Sequence, residues 1–287
     1  MGRAREYYQL AKPGIVKGNL LSLLAGYFFA ASLYGFDLVA LLGALLGTTL
    51  VIASGCVYNN YLDRHIDAKM NRTKQRALVL NTISARSALI YATVLGVLGL
   101  GSLWLLVNPL VTLLGFIGLV WYVCIYGLAK RHTPWSTLIG TVCGAIPPVA
   151  GYVAITGHLD PAAIILFVIL VVWQMPHFYA IAIRREDEYR AGGIPVLAVV
   201  KGAAITKQRI IVYMLVFCFT TPLLSLLGDA GLTYVVLSVA LSTYWLTTAL
   251  RTWREPDDKK WAGRIFGTSL LVLLIQSALI ATGHVFP

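Results

Sequence analysis

Nine long apolar runs constrain this chain more than any other feature. They cover 15–33, 38–58, 87–107, 110–128, 136–156, 161–183, 210–228, 231–250 and 265–283. Each approaches the ~20 residues a helix needs to cross a hydrocarbon core of ~30 Å. A buried soluble core has no use for nine such runs, and a transmembrane barrel would alternate polar with apolar residues, which these segments do not. The expected fold is all-α: a polytopic membrane bundle of about nine transmembrane helices, forming a single domain over residues 1–287. Composition agrees, since only 12% of residues are charged, about half the soluble norm of ~25%.

All 23 Lys and Arg fall on one side of this map. They occupy the N-terminal segment up to Lys17 and the connections 59–86, 129–135, 184–209 and 251–264. The opposite connections carry only Asp37, Asp160 and Asp229 among charged residues. Basic loops stay cytoplasmic, so the N-terminus is expected inside and the C-terminus outside. The net charge of +11 then describes one membrane face, whose bases orient the chain and meet lipid headgroups. No soluble domain is left to carry a nucleic-acid role. The opening Met-Gly-Arg-Ala-Arg-Glu does not read as a signal peptide, and Glu6 stands where myristoylation requires Ser or Thr. Cys56, Cys124, Cys143 and Cys218 lie within apolar runs, with neither disulfide nor zinc spacing.

Small residues recur at helix-packing spacing in Gly43/Gly47 and Gly140/Gly144. Pro147 and Pro148 are expected to bend the fifth run, since neither has a backbone donor. The two long basic connections, 59–86 and 184–209, follow the second and sixth runs. Long ordered connections in compact folds tend to be functional, and these two share one membrane face.

The first of them opens with Asn59-Asn60-Tyr61-Leu62-Asp63-Arg64-His65-Ile66-Asp67. Asn59, Asp63 and Asp67 are spaced by four, so on a helix they stack ~6 Å apart on one face. Carboxylates at a span end are costly and repel one another, and a cation relieves both problems. Mg²⁺ is bound by one or two carboxylates together with substrate phosphate oxygens. A solvated helix end, with Asp63 and Asp67 paired to Arg64 and Lys69, fits the spacing equally well. The next residues shift the balance: Lys69, Arg72, Lys74 and Arg76 supply cations for phosphate oxygens beside carboxylates for a metal.

The sixth run ends in Trp173-Gln174-Met175-Pro176-His177-Phe178-Tyr179 and passes into Arg184-Arg185-Glu186-Asp187-Glu188-Tyr189-Arg190. His177 is the one histidine inside a run. It reads either as a haem-iron ligand, proton relay or substrate contact, or as a packing residue hydrogen-bonded to Gln174. Glu186, Asp187 and Glu188 form a second acidic group among Arg184, Arg185 and Arg190, on the same membrane face as the first. Trp121, Tyr122 and Tyr126 on the fourth run serve either as π-faces for a cation or as lipid anchors.

At these residues the chain resembles the UbiA superfamily of intramembrane aromatic prenyltransferases, in its haem branch. The resemblance is carried by Leu10-Ala11-Lys12-Pro13, Asn59–Asp67, Asn71-Arg72-Thr73-Lys74, Trp173–Phe178 and Tyr189 through Ile194-Pro195. It implies nine helices around a cavity opening to lipid, in a bacterial-type inner membrane. It also implies transfer of farnesyl from farnesyl diphosphate to haem B, with water, giving haem O and diphosphate. Mg²⁺ would be held by Asn59, Asp63 and Asp67, with Asp187 and Glu188 from the second cluster. Arg72, Lys74, Arg76, Arg184 and Arg185 would hold diphosphate, and His177 and Tyr189 would contact haem. Quinone-type members place a spaced Asp pair in the second segment, where this chain has His177, Ile181 and Ile183, and the haem branch's Asp-Tyr pair reads Glu188-Tyr189 here. The implied protein partner is a haem-modifying or oxidase-assembly factor. The rival functions are prenylation of a quinone precursor and secondary transport; transporters, however, keep their sites near the midplane on broken helices.

Overall fold

Helices are the form in which a lone segment satisfies every backbone group within lipid. The computed structural model describes residues 2–284, and among them nine helices have the length and composition to span a membrane. They are Pro13–Tyr34, Leu38–Leu62, Ala85–Leu106, Pro109–His132, Ser136–Thr156, Pro161–Arg184, Leu197–Leu226, Leu232–Arg251 and Asp258–Thr282. No strand occurs among the described residues. The chain is a multi-pass membrane protein.

Two spans begin earlier than hydropathy places them. The seventh starts at Leu197 and contains a non-helical residue, Gly202, at φ 81°. The ninth starts at Asp258. Their added turns carry Lys201, Lys207, Lys259, Lys260 and Arg264, which end an apolar run without ending a helix. The connection 184–209 contracts accordingly and contains a short helix, Glu186–Ala191.

Two of the three acids of the cation-free side, Asp37 and Asp160, are helix caps. The Asp37 carboxylate accepts from the amides of Val39 at 2.8 Å and Ala40 at 3.0 Å. Asp160 accepts from the Ala163 amide at 2.9 Å, with Pro161 in the first helical position. Such caps satisfy otherwise orphaned donors and set negative charge at the positive end of the helix.

Glycines set how closely the spans approach. A Cβ on Gly26 would fall 1.9 Å from the Pro148 carbonyl oxygen, and one on Gly151 would fall 2.0 Å from that of Leu23. The first and fifth spans therefore touch backbone to backbone. Gly47 meets Gly99 in the same way, with 2.9 Å from its ideal Cβ to the Gly99 oxygen. Gly43, Gly140 and Gly144 each leave room for a partner side chain, as their spacing suggested. Pro147 and Pro148 lie buried within the uninterrupted helix Ser136–Thr156. The first six spans and the ninth enclose a cavity of about 450 Å³, and the seventh and eighth pack outside it.

Gly151→Ala should lower stability by about 1–3 kcal/mol, the usual cost of overpacking, because a backbone oxygen cannot move aside as a side chain can. Gly101→Ala, with nothing within 4 Å of its Cβ, should leave the melting temperature in detergent unchanged. Thermal denaturation of both variants checks this.

Candidate active site

The second span carries its polar face past the membrane boundary almost without a break. The Asp63 amide donates to the Asn59 carbonyl at 2.9 Å, and the Asp67 amide to that of Asp63 at 2.8 Å. Helical hydrogen bonds thus stack the three side chains, as their spacing requires. Asn59, Asp63 and Asp67 are 4%, 1% and 2% exposed, so this is no solvated helix end. Nor do the neighbouring cations pair with them. Arg64 donates to the Tyr61 carbonyl at 2.8 Å, and among the described residues neither Arg64 nor Lys69 forms an ion pair with these acids.

The counter-charges come from distant segments. Lys130 Nζ lies 2.6 Å from Asp63 Oδ2, and Arg131 lies 3.5 Å from Oδ1. Arg76 lies 2.5 Å from Asp67 Oδ2. Lys12 Nζ donates to Asn59 Oδ1 at 2.6 Å, and Asn59 Nδ2 donates to Asp63 Oδ2 at 2.9 Å. A buried carboxylate persists only when paired and hydrogen-bonded, and each of these is. Lys12 adopts a left-handed conformation, φ 50° and ψ 65°, uncommon for a residue with a side chain. The Asn60 amide holds the preceding turn through the Leu10 carbonyl at 2.8 Å. Burial lowers the Lys12 ammonium pKa to about 8.

The second cluster divides. Arg72 Nε sits 3.5 Å from Glu188 Oε2 and Arg185 sits 3.7 Å from it, so Glu188 ties the two polar loops together. Asp187 is 78% exposed and paired with Lys259, whose hydrogen bond holds its carboxyl below the usual carboxylate range. It turns toward the start of the ninth span. Glu186 binds Arg190 at 2.5 Å. The Arg184 guanidinium lies over the Phe266 ring at 5.2 Å, and Lys74 donates to Asn71 Oδ1 at 3.0 Å on the exposed surface. Among the described residues no three His, Cys, Asp or Glu side chains gather closely enough for a metal. The donors that do stack, Asn59, Asp63 and Asp67, are all oxygen, the set a hard divalent cation takes. Their charge is balanced here by the protein's own cations.

The cavity begins at this cluster, since Lys130 lines it along with Tyr122 and Tyr126. Residues Trp121–Tyr126 form a π-helical turn, and the rings of Tyr122 and Tyr126 stack at 5.6 Å against the cavity. Trp121 instead donates to the Ile139 carbonyl at 2.8 Å. Hydropathy cannot register a π-turn, and Lys130 read only as one base of a short loop. Its position four residues after Tyr126 was the available signal.

His177 and Tyr189 also line the cavity. The His177 ring lies between Trp173, at 4.9 Å, and Phe266, at 5.0 Å. Its Nδ1 is 2.7 Å from Ser269 Oγ, so its partner is Ser269 rather than Gln174. Ser269 gives its only proton to the Phe266 carbonyl at 2.6 Å. Nδ1 is therefore the donor to Ser269, and in the neutral ring Nε2 carries the lone pair. No partner reaches Nε2 among the described residues.

Residues 19–271 match the model of the UbiA prenyltransferase family. The chain is 47% identical over 284 residues to proteins named protoheme IX farnesyltransferase from Citrobacter koseri and Escherichia coli K12, covering 99% of this chain and 96% of each relative. A digeranylgeranylglyceryl phosphate synthase structure superposes with a TM-score of 0.80 at 18% identity, covering 99% of both chains. A UbiA homologue from Archaeoglobus fulgidus bound to GPP and Mg²⁺ gives a TM-score of 0.68 at 17% identity, over 96% of this chain and 99% of that one.

Removing Arg76 leaves a buried carboxylate without its cation. Arg76→Gln should destabilise the protein by about 3 kcal/mol. Adding Asp67→Asn should recover about 1–3 kcal/mol of that loss. A double-mutant cycle by thermal denaturation measures this; simple additivity would mean that the pair is not coupled.

Proposed function

This chain belongs to the UbiA prenyltransferase family, and on that premise we propose that it transfers farnesyl from farnesyl diphosphate to a vinyl group of haem B. Water is added in the same reaction, and the products are haem O and diphosphate. The observation that carries the choice of acceptor is His177: an imidazole against the rings of Trp173 and Phe266, its Nδ1 tied to Ser269 and its Nε2 without a protein partner among the described residues of the cavity wall. A lone pair suits haem iron as an axial ligand; a propionate would need a proton donor there instead. The names of relatives 47% identical over nearly the whole chain support the same acceptor.

Mg²⁺ would be held by Asn59, Asp63 and Asp67, with Glu188 the acid of the second cluster held nearest the first loop, through Arg72. When bound, it would supply positive charge to the leaving diphosphate oxygens. With a metal on the carboxylates, Lys130, Arg131 and Arg76 would be available to those oxygens, and Arg72, Lys74, Arg184 and Arg185 would supply further positive charge on the same face. Charge-assisted bonds of this kind stabilise the charge that grows on the leaving group. The apolar cavity keeps bulk water from the prenyl cation, and Tyr122 and Tyr126 offer it π-faces. Tyr189 lines the same cavity, where it would meet the acceptor. The residues form one domain, with the N-terminus and the basic loops in the cytoplasm of a bacterial-type inner membrane and the C-terminus outside.

Expressed in a haem-rich membrane with farnesyl diphosphate, the chain should yield haem heavier by one farnesyl group and one water, measured by mass spectrometry. Unmodified haem together with a prenylated quinone precursor would overturn the choice of acceptor. In purified His177→Ala the haem optical spectrum should shift while affinity for a farnesyl diphosphate analogue persists. An unchanged spectrum and haem affinity would assign His177 to packing.

A further inference from the structure

The sixth span also sets a carboxamide in the cavity wall. Gln174 is 4% exposed and lines the cavity together with Gly144. Its Nε2 donates to the carbonyls of Thr141 at 3.2 Å and Leu170 at 3.0 Å. Carbonyl oxygens only accept, so these two bonds use both amide hydrogens and fix which terminus is which. Oε1 is the other terminus, and no donor reaches it among the described residues. It faces Gly144, where a Cβ would fall 2.1 Å away. The oxygen thus takes the space a side chain at 144 would fill and, having no donor among the described residues, stays accessible from the cavity rather than sealed in the core. An acceptor open to a cavity and without a protein donor takes water as its partner.

We propose that Gln174 Oε1 holds the water molecule that ends the transfer reaction. This rests on the function proposed above. In that reaction the C1–O bond of farnesyl diphosphate breaks and its electron pair leaves with diphosphate. The terminal vinyl carbon bonds to farnesyl C1, which puts the positive charge on the vinyl carbon next to the haem ring. The water oxygen then bonds to that carbon. The proton this water loses is balanced by diphosphate, the base formed in the same turnover. A water that donates one hydrogen to Oε1 keeps its lone pairs turned outward, and a neutral carboxamide is too weak a base to deprotonate it early. Gln174 also lies ten residues before Arg184, about 15 Å along the helix axis from the basic end, so the water is kept away from the leaving diphosphate. Without a held water the same cation sheds a proton from the neighbouring carbon and becomes an alkene. Gln174 is on this view a positioning residue, and the alcohol-to-alkene ratio reports its role.

The test compares Gln174→Leu, which removes the acceptor, with Gly144→Ala, whose Cβ would fall 2.1 Å from Oε1 and so displaces it. Haem extracted from membranes making each variant is analysed by mass spectrometry, and haem affinity is titrated in the purified proteins. The alkene, lighter by one water, should rise at least fivefold as a share of farnesylated haem in both variants. Haem affinity should stay within twofold of the parent. A wild-type alcohol share in either haem-binding variant would overturn the proposal. So would loss of all farnesylated haem in both while haem still binds, since Gln174 would then act before the cation forms. Absence of farnesylated haem from the parent chain would instead overturn the function on which the proposal rests.

Discussion

Two carboxylates buried at a membrane boundary are the constraint on which this molecule depends. Asp63 and Asp67 sit at the end of the second span with almost no exposed surface. Each must find positive charge, because an isolated ion in so poor a solvent is unaffordable. The chain answers with Lys130 and Arg131 from the end of the fourth span and Arg76 from the first long loop. Lys12 joins through Asn59. Four separated stretches of sequence are thereby drawn to one point. The first long loop folds back on itself for the same reason, with Thr73 donating to the Asp67 carbonyl at 2.9 Å.

A buried ion pair of this kind is weak evidence for stability, since its desolvation can exceed its Coulombic gain. The arrangement makes more sense as a charge-exchange site. Cations that rest on carboxylates would already be in place to meet a second anion if, as proposed, a metal took the carboxylates over. The cavity then begins at the cations, with Lys130 and Tyr126 at its rim and His177 farther along its wall. Chemistry that releases an anion at one end and traps a carbocation at the other needs this division into a charged end and an apolar body.

Much of this was legible in the sequence. The nine runs and the one-sided cations led to the membrane bundle, and the spacing of Asn59, Asp63 and Asp67 gave the helix face. The glycine pairs marked real contacts. What the sequence hid was long-range. No spacing rule pairs Asp63 with Lys130, sixty-seven residues away, and the local partners, Arg64 and Lys69, were the natural guess. Asp187 and Glu188 are neighbours in sequence, yet the short helix after the sixth span turns one toward Lys259 and the other toward Arg72. The seventh and ninth spans were read short because hydropathy marks where lipid contact ends and a helix can run beyond it. The His177 tautomer depends on Ser269, ninety-two residues on, and only the fold brings the two together.

The central claim is that Asp63 and Asp67 exchange their own cations for a metal-bound diphosphate. Calorimetric titration of a non-reactive farnesyl diphosphate analogue into the purified protein, with Mg²⁺ and then with excess chelator, tests it most directly. The account predicts that binding needs the metal and that Asp63→Asn removes this dependence along with most of the affinity. Equal affinity in chelator, with Asp63→Asn binding as the parent does, would contradict it.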